Sequence, residues 1–175
     1  ALRGRGHEVE LLPIVTTGDR RNRGPACAPA EDVKGLFVKE LEQALLAGAA
    51  DLAVHSAKDL PTDLPAGLAV LAVPERADPR DVLVAPGGIE GLPAGSRVGT
   101  GSPRRREQLL EARPDLAAVD IRGNVDTRLA KMRRGEVDEV VLAAAGLALL
   151  GIDAGSAEPL DPATFVPAPG QGCLA

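Results

Sequence analysis

Apolar and polar positions in the first half of the chain form short runs that predict four strands and one helix. The apolar run at residues 9–15, interrupted only by Pro13, is typical of a strand. Residues 16–32 combine Gly, Pro, Asp, Asn and Arg and predict a loop. Apolar residues recur at helical spacing over 35–47, and Gly48 is suited to end that helix. Further strands are predicted at residues 51–54, 68–73 and 81–85.

The second half has a more regular pattern, in which strands and helices alternate. Strands are predicted at residues 97–100, 117–121 and 137–143, and the helices that follow them end at about residues 112, 134 and 150. Ser102 is suited to cap the first of these helices, with Pro103 at its first position. This order predicts an α/β fold, with a parallel sheet flanked by helices and ligands bound at the carboxyl ends of the strands.

The length of 175 residues fits one domain of about 150 residues or two smaller ones. Residues 86–95 are rich in Gly and Pro and form the best candidate for a linker. The net charge is -5, yet 16 of the 20 basic residues are Arg, and residues 97–134 alone carry a net charge of +5. An acidic chain with one Arg-rich segment favours a local anion site, and Arg binds planar carboxylates through two parallel hydrogen bonds.

Composition argues against several other classes of protein. The chain has no Trp, no Tyr and two Phe, so base stacking in a nucleic-acid complex has little to build on. Two Cys give neither a disulfide framework nor the ligand spacing of a metal site. The longest apolar run, residues 140–152, is too short to span a bilayer, and no signal-peptide core is evident. We therefore expect a cytoplasmic protein without a metal, a membrane segment or a nucleic-acid partner.

The cluster at residues 100–106 combines a Gly turn, two hydroxyls and a helix N-terminus, which together favour an anion. Thr100 and Ser102 carry the hydroxyls, and Arg104 and Arg105 add charged donors. A solvated helix face is the alternative, although basic side chains in a first helical turn oppose the helix dipole unless an anion is near. The spacing alone does not distinguish phosphate from carboxylate.

Two further polar clusters follow predicted strands. Residues 121–128 repeat the strand–Gly–helix pattern with Arg122, Asn124 and Arg128, although an ordinary strand–helix loop explains this segment equally well when it is taken alone. Residues 55–59 follow the strand at 51–54 and include Lys58 and Asp59, which would also fit a surface ion pair of little energetic value. If Asp59 faces an Arg-lined cleft, its carboxylate stays ionised and stabilises a developing cation.

The order of these motifs resembles the porphobilinogen deaminase (hydroxymethylbilane synthase) family. Residues 55–62 are similar to the family's H-S-M-K-D-V-P-T motif, and further matches cover nearly the whole chain in the family's order. They lie at residues 34–42, 78–81, 98–100, 104–105, 121–125, 127–129, 142–147 and 167–172.

The resemblance implies a transferase that joins four porphobilinogen molecules head to tail, with release of ammonia, to give the linear tetrapyrrole hydroxymethylbilane in porphyrin and haem biosynthesis. It also implies a monomer with a covalent dipyrromethane cofactor, and two type II periplasmic-binding-protein-like lobes, each a mainly parallel sheet flanked by helices. We expect lobe 1 at residues 1–85 with 166–175 returning to it, a hinge at 86–95, lobe 2 at 96–153 and a return linker at 154–165. Both lobes are expected to be incomplete, and the family's third α+β domain, with the Cys that holds the cofactor, would lie beyond Ala175.

The resemblance also implies roles for individual residues. Asp59 would be the catalytic carboxylate, which holds pyrrole N–H groups and stabilises the cation formed when ammonia leaves. The residues that would hold the dipyrromethane carboxylates are Ser56, Lys58, Thr100, Ser102, Arg104, Arg105 and Arg128. The residues that would bind substrate are Arg122, Arg128, Asn124 and Phe37.

Some positions depart from the family pattern. Leu149 stands where the family usually has a substrate-binding Arg, Asp126 replaces a usual Gly, and Cys173 lies in a different motif from the cofactor-bearing Cys. Gly101, Pro103 and Val33 also differ from the usual residues. These departures predict that the 175-residue chain is inactive alone. The alternative is a non-catalytic, two-lobed module that binds carboxylates.

Overall fold

The computed structural model describes residues 2–18 and 37–175, which divide into two units. The first unit contains the described residues of Ala1–Ala53 together with Pro61–Ala69. The second contains Val54–Leu60 and Val70–Ala175. Most of the predicted loop at residues 16–32, the start of the predicted helix at 35–47, and Cys27 lie outside the described residues, whereas Cys173 is a free thiol.

The α-helix α1, at Lys39–Leu46, lies in the first unit and confirms the described part of the predicted helix. Glu40 in its first turn accepts hydrogen bonds from the backbone N–H (2.9 Å) and the hydroxyl (2.5 Å) of Thr17. Gly48 follows the helix with a positive φ of 68°, a conformation that glycine adopts at little cost.

A five-stranded sheet organises the second unit. Its strands are β1 (Asp81–Val84), β2 (Arg97–Gly99), β3 (Ala117–Val119), β4 (Glu139–Ala143) and β5 (Ala157–Pro159). The order across the sheet is β3-β2-β4-β1-β5. The β2 strand pairs in parallel with β3 and β4, whereas β1 pairs antiparallel with β4 and β5. The fold is α/β as predicted, and the parallel pairing predicted for the strands at 97–143 is confirmed. The sheet as a whole is mixed, because β1 and β5 add antiparallel pairs to it.

Three helices cover the sheet: α2 (Pro103–Ala112), α3 (Val125–Arg133) and α4 (Ala144–Leu150). Alternate residues along the strands point to opposite faces, so each face builds its own core. Leu83 and Val141 pack with Leu109 of α2 on one face. Val82, Val140 and Leu142 belong to the core of the other face, which also receives the helix residues Leu129 and Leu147. These elements confirm the predicted strands at 81–85, 97–100, 117–121 and 137–143 and the helices that follow the last three.

The segments at residues 9–15, 51–54 and 68–73 are not strands in the structure, so these three predictions are wrong. Their apolar side chains are largely exposed, with Leu11 at 78% and Leu71 at 87%. A strand forms only where its N–H and C=O groups meet those of a neighbour, and these segments have no ladder partner within the described residues. An apolar pattern predicts burial, but it does not supply the partner.

The predicted linker at residues 86–95 is anchored within the second unit. Leu92 is buried, and the Arg113 guanidinium donates to the carbonyls of Ile89 (3.0 Å) and Leu92 (3.1 Å). The segment at 154–165, predicted as a return linker, contains β5. The β1 strand, expected at the end of lobe 1, lies in the same sheet as β2, β3 and β4. In the part of the chain that is described, no helix is long and apolar enough to cross a membrane.

Candidate functional site

The junction between β2 and α2 is a tight turn held by two hydroxyl side chains. Thr100 follows Gly99 at the end of β2, is 1% exposed, and donates its backbone N–H to Val119 O (2.9 Å). Its Oγ1 accepts from the backbone N–H of Ser102 (3.2 Å), and the Ser102 Oγ accepts from the N–H of Arg105 (3.4 Å). The turn therefore caps α2, with Pro103 at its first position as predicted.

The first turn of α2 binds a buried carboxylate at the start of β1. Asp81 has a fully buried side chain, and its Oδ1 accepts from Arg105 Nη2 (2.7 Å) and Nε (3.1 Å). Arg104 Nη2 donates to Oδ2 (2.8 Å). Gln171 Nε2 donates to Oδ1 (2.9 Å), and Arg105 Nη1 donates to Val141 O (3.1 Å). The anion that the basic first turn requires is thus supplied within the chain, at least for these two guanidinium groups.

The junction between β3 and α3 repeats the turn without such a carboxylate. Gly123 has a φ of +120°, and a Cβ there would lie 2.5 Å from Thr127 Cγ2. Asn124 caps α3 through Oδ1, which accepts from the N–H (2.9 Å) and the hydroxyl (2.7 Å) of Thr127. Arg128, which is half-buried, donates from Nε to Gly123 O (2.8 Å). It forms no ion pair with a carboxylate among the described residues.

The segment that carries Asp59 is held by the end of the chain. His55 and Ala175 exchange two backbone hydrogen bonds, of 2.8 and 2.9 Å, and Ala57 N–H donates to Cys173 O (3.0 Å). Ala57–Asp59 then forms one 3₁₀ turn, closed by the bond from Asp59 N–H to Ser56 O (3.0 Å). Lys58 and Asp59 are both exposed, so this support presents their charges to solvent.

The cations of the site influence one another. The pKa of Lys58 is lowered, first because surrounding protein partly desolvates the ammonium group and then because Arg105 is near; Asp59 and Asp81 act in the opposite direction. The pKa of Arg128 is also lowered, first by burial and then by the charge of Arg105. Lys58 keeps an exposed side chain in spite of this partial desolvation. An anion bound nearby would stabilise the charged form of Lys58 and of Arg128.

The structure brings some predicted residues together and uses others differently. The charges of Lys58, Arg105 and Arg128 are close enough to affect one another. Asp59 likewise affects the charge of Lys58. Arg122 forms a long, exposed ion pair with Asp120 (3.4 Å). The side-chain oxygen of Asn124 is occupied by the α3 cap, and the hydroxyls of Thr100 and Ser102 hold the α2 turn.

Phe37, which the sequence suggests for the substrate side, belongs to the first unit. Its ring packs closely against the backbone of Gly18, where a Cβ would lie 2.4 Å from ring carbons. Contact between Phe37 and a pyrrole therefore stays a prediction.

Sequence reasoning missed two residues of this site, Asp81 and Gln171. Both lie in segments that match the family, yet no role was assigned to them. The position of Asp81 could have indicated its role. An ionisable residue that begins a buried, apolar strand requires a buried partner. Gln171 gave no comparable signal, because its contacts join segments that are about 90 residues apart.

The arrangement is suited to binding a multiply charged carboxylate. Within the described residues neither Lys58 nor Arg128 forms an ion pair with a carboxylate, and Arg104 is 27% exposed at its side chain. An exposed carboxylate, Asp59, lies near Lys58. Arg and Lys donors next to a helix N-terminus bind carboxylates through charge-assisted hydrogen bonds. Across the described residues, no group of three or more His, Cys, Asp or Glu side chains is placed to hold a metal ion.

Comparison with known proteins agrees with this geometry. Residues 1–175 match the family model described as "Porphobilinogen deaminase, dipyromethane cofactor binding domain". The chain is 53% identical over 177 residues to a porphobilinogen deaminase of Rubrobacter xylanophilus, an alignment that covers 99% of this chain and 57% of that protein. It is 53% identical over 171 residues to the porphobilinogen deaminase of a Roseiflexus species, covering 97% of this chain and 56% of the relative.

A third relative, the porphobilinogen deaminase of Nitratidesulfovibrio vulgaris, is 55% identical over 169 residues, which cover 95% of this chain and 53% of the relative. The chain thus spans somewhat more than half the length of the curated relatives it matches. The family model covers every residue, and the identities lie far above those at which family membership becomes doubtful. The chain therefore belongs to the porphobilinogen deaminase family.

Proposed function

We propose that the complete natural protein is a hydroxymethylbilane synthase, which joins four porphobilinogen molecules head to tail and releases ammonia. Within it, this chain holds the carboxylates of a dipyrromethane cofactor and presents Asp59 to the reacting pyrrole. The proposal concerns the whole protein, because the chain spans 57% of its Rubrobacter relative. Family membership and the charge pattern of the second unit both support it.

One observation carries the assignment of this site to the cofactor: Lys58 and Arg128 are partly desolvated cations without a carboxylate partner among the described residues. A dipyrromethane bears acetate and propionate groups, so it supplies several carboxylates over a short length. Binding them would neutralise charges that now repel one another, a favourable exchange in a partly desolvated site. The donor set therefore fits the group.

The remaining predicted contacts support the same ligand. Ser56 and the α2 turn with Thr100 and Ser102 offer hydroxyl groups. Arg104 and Arg105 offer the N–H groups that remain after their bonds to Asp81 and to the carbonyls of Val166 and Val141. The dipyrromethane, when bound, supplies the growing end to which each new pyrrole is joined. The chain's own residues orient that end and hold its negative charges in place.

Asp59 is proposed as the catalytic carboxylate. It is exposed at the end of a turn that three backbone hydrogen bonds to Cys173 and Ala175 hold in place. A carboxylate held there accepts hydrogen bonds from pyrrole N–H groups and stabilises the positive charge that develops as ammonia leaves the substrate. Arg122, Arg128, Asn124 and Phe37 are proposed to bind the incoming substrate.

The complete protein is further proposed to have two type II periplasmic-binding-protein-like lobes. The reciprocal backbone bonds between His55 and Ala175 support the return of residues 166–175 to the first lobe. The pairing of β1 with β4 favours a first lobe that ends before Asp81 rather than at residue 85.

The substitution Asp59→Ala in the complete protein tests the function. We expect the wild type to release ammonia from porphobilinogen and the variant to lose at least 95% of that turnover with an unchanged far-UV circular dichroism spectrum. Asp63→Ala, at another exposed acid nearby in sequence, is the matched control and should keep wild-type turnover. A wild type that binds porphobilinogen without releasing ammonia, and carries no dipyrrole adduct by intact mass, would instead identify a carboxylate-binding module.

A further inference from the structure

Asp81 is the one described carboxylate whose side chain is fully buried in an ion pair, and it accepts four hydrogen bonds. Three go to Oδ1, from Arg105 Nε, Arg105 Nη2 and Gln171 Nε2, and one goes to Oδ2, from Arg104. Three donors therefore share Oδ1, whereas Oδ2 accepts one bond. Because the side chain has no exposed surface, Asp81 is inaccessible to a ligand, and its role lies in the groups that it holds in place.

The partners of Asp81 come from separate parts of the second unit. Arg104 and Arg105 open α2, whereas Gln171 lies near the end of the chain and also donates to Pro79 O (2.7 Å). The backbone carbonyl of Gln171 in turn accepts from Arg76 Nε (3.0 Å). Asp81 therefore ties the N-terminus of α2 to the loop that contains Gln171.

That same loop supports the segment of Asp59. Cys173, two residues after Gln171, accepts from Ala57 N–H (3.0 Å), and Ala175 pairs with His55. Gly170 lies so close to this segment that a Cβ there would approach the Lys58 backbone nitrogen to 3.1 Å. A continuous set of short contacts thus runs from the Asp81 carboxylate to the turn that carries Lys58 and Asp59.

Charge gives Asp81 a second effect. Arg105 lowers the pKa of both Lys58 and Arg128, so its guanidinium already repels these two cations. Asp81 offsets part of this repulsion and raises the tendency of Lys58 to stay charged. Without the carboxylate, the cluster would gain one net positive charge, and Arg105 would lose the anion that fixes its orientation.

We propose that Asp81 is a positioning residue for the cofactor-binding cations: it fixes the guanidinium groups of Arg104 and Arg105 and, through Gln171, the register between α2 and the Asp59 turn. This inference rests on the proposed function, since it concerns how the same site is assembled. It predicts that loss of Asp81 impairs cofactor capture and substrate binding in molecules that are still folded.

The test compares Asp81→Asn with Asp138→Asn in the complete protein. Asp138 also pairs with an arginine of the same sheet, Arg97 (2.7 Å), but its side chain is 44% exposed and lies outside the cluster. For folded protein at low temperature, we expect the fraction carrying a dipyrrole adduct by intact mass to fall at least fivefold in Asp81→Asn. In the loaded remainder, KM for porphobilinogen should rise at least tenfold. Asp138→Asn should match the wild type in both measurements.

A second variant, Gln171→Leu, keeps the test decisive if Asp81→Asn does not fold. It breaks the link to the loop but leaves no charge unpaired, and it removes an Oε1 atom that is buried without a partner among the described residues. We expect its kcat to fall at least fivefold, with a midpoint of urea unfolding close to that of the wild type. In this variant the loop around residue 171 should no longer hold the Asp59 turn in its position, whereas Arg104 and Arg105 stay bound to Asp81.

Wild-type loading, KM and kcat in whichever of the two variants folds would overturn the proposal, and so would a loss that follows the folded fraction alone. The proposed function fails separately, since that failure would appear in the wild type as absent turnover and an absent adduct. A wild type that is active, with variants that are equally active, would reject only the role of Asp81.

Discussion

Two strand–helix junctions of the same sheet share a sequence pattern but leave their arginines in different electrostatic states. At the β2–α2 junction, Arg105 is 7% exposed at its side chain and bound to the buried Asp81. At the β3–α3 junction, Arg128 donates to one backbone carbonyl and forms no ion pair with a carboxylate among the described residues. Burial and then the charge of Arg105 lower the pKa of Arg128, and Asp120 offsets only part of this. A strand–Gly–helix pattern thus predicts where an arginine lies, whereas its counter-ion decides whether it supports the fold or offers charge to a ligand.

The largest expected effect is a difference in the loss of unfolding free energy when Arg105 and Arg128 are each replaced by Met. Arg105→Met leaves Asp81 buried with two of its four hydrogen bonds, so we expect the free energy of unfolding to fall by about 3–5 kcal/mol. Arg128→Met removes a desolvated charge and one hydrogen bond, so we expect a change within about 1 kcal/mol. Urea unfolding of the complete protein, followed by far-UV circular dichroism, measures both. Equal losses would show that the two junctions use their arginines alike.

A smaller effect is expected at the turn of the β3–α3 junction. Gly123→Ala places a Cβ 2.5 Å from Thr127 Cγ2 at a φ of +120°, so steric overlap adds to the backbone strain. We expect a loss of about 2–3 kcal/mol. Gly135→Ala is the control, since its φ is +73° and no atom lies within 4 Å of the added Cβ; it should lose about 1 kcal/mol. A Gly123→Ala loss no larger than that of the control would mean that the turn adjusts freely.

Low pH should destabilise the β2–α2 junction in particular, because it protonates the Asp81 carboxylate that the arginines of this junction bind. Burial alone would raise the pKa of this carboxyl, but Arg105, Gln171 and Arg104 together lower it below its ordinary value of 3.8. The unfolded chain then binds more protons than the fold, so this stability is present above the unfolded pKa and is lost as pH falls through the folded pKa. We expect Asp81→Asn to flatten the fall in unfolding free energy below about pH 4.

The acid experiment has its own control in Asp138→Asn, which removes an exposed carboxyl whose pKa is also lowered by an arginine, Arg97. Solvent screens this exposed pair, so the control should retain most of the wild-type acid profile. If Asp81→Asn leaves the fall in unfolding free energy at low pH unchanged, Asp81 is not the cause of that fall.

The smallest effect compares the two helix caps. Asn124 Oδ1 accepts two short bonds, of 2.9 and 2.7 Å, whereas the bond from Arg105 N–H to Ser102 Oγ is long, at 3.4 Å. We expect Asn124→Ala to cost about 1 kcal/mol and Ser102→Ala about 0.5 kcal/mol, measured by urea unfolding. The reverse order would indicate that the cap distances do not govern the stability of these helices.

The extent to which the sequence predicts the structure differs between local and distant features. The α2 helix was predicted in detail because Ser102 and Pro103 determine its start from within the same turn. The strand expected at residues 9–15 did not form, since a strand depends on a partner that an apolar run does not identify. The β5 strand, Ala157–Pro159, was missed because its three residues carry no clear β pattern.

The candidate site shows the same division. Lys58, Asp59, Arg105 and Arg128 were all named from local motifs, and the structure brings their charges within reach of one another. The pairing of Arg105 with Asp81 was not predicted, because the two residues are 24 positions apart and join only when β1 and α2 pack. Long-range pairing is therefore the information that the sequence pattern lacked.

The central claim is that the unpaired cations of this site hold the carboxylates of the cofactor. The most direct measurement is the fraction of complete protein that carries a dipyrrole adduct by intact mass, compared between Arg128→Met and Arg134→Met. Arg134 lies just after α3 in an exposed pair with Glu136 (2.7 Å), and its substitution should leave loading unchanged. We predict at least a fivefold lower loaded fraction for Arg128→Met at an unchanged unfolding midpoint, and full loading of that variant would contradict the claim.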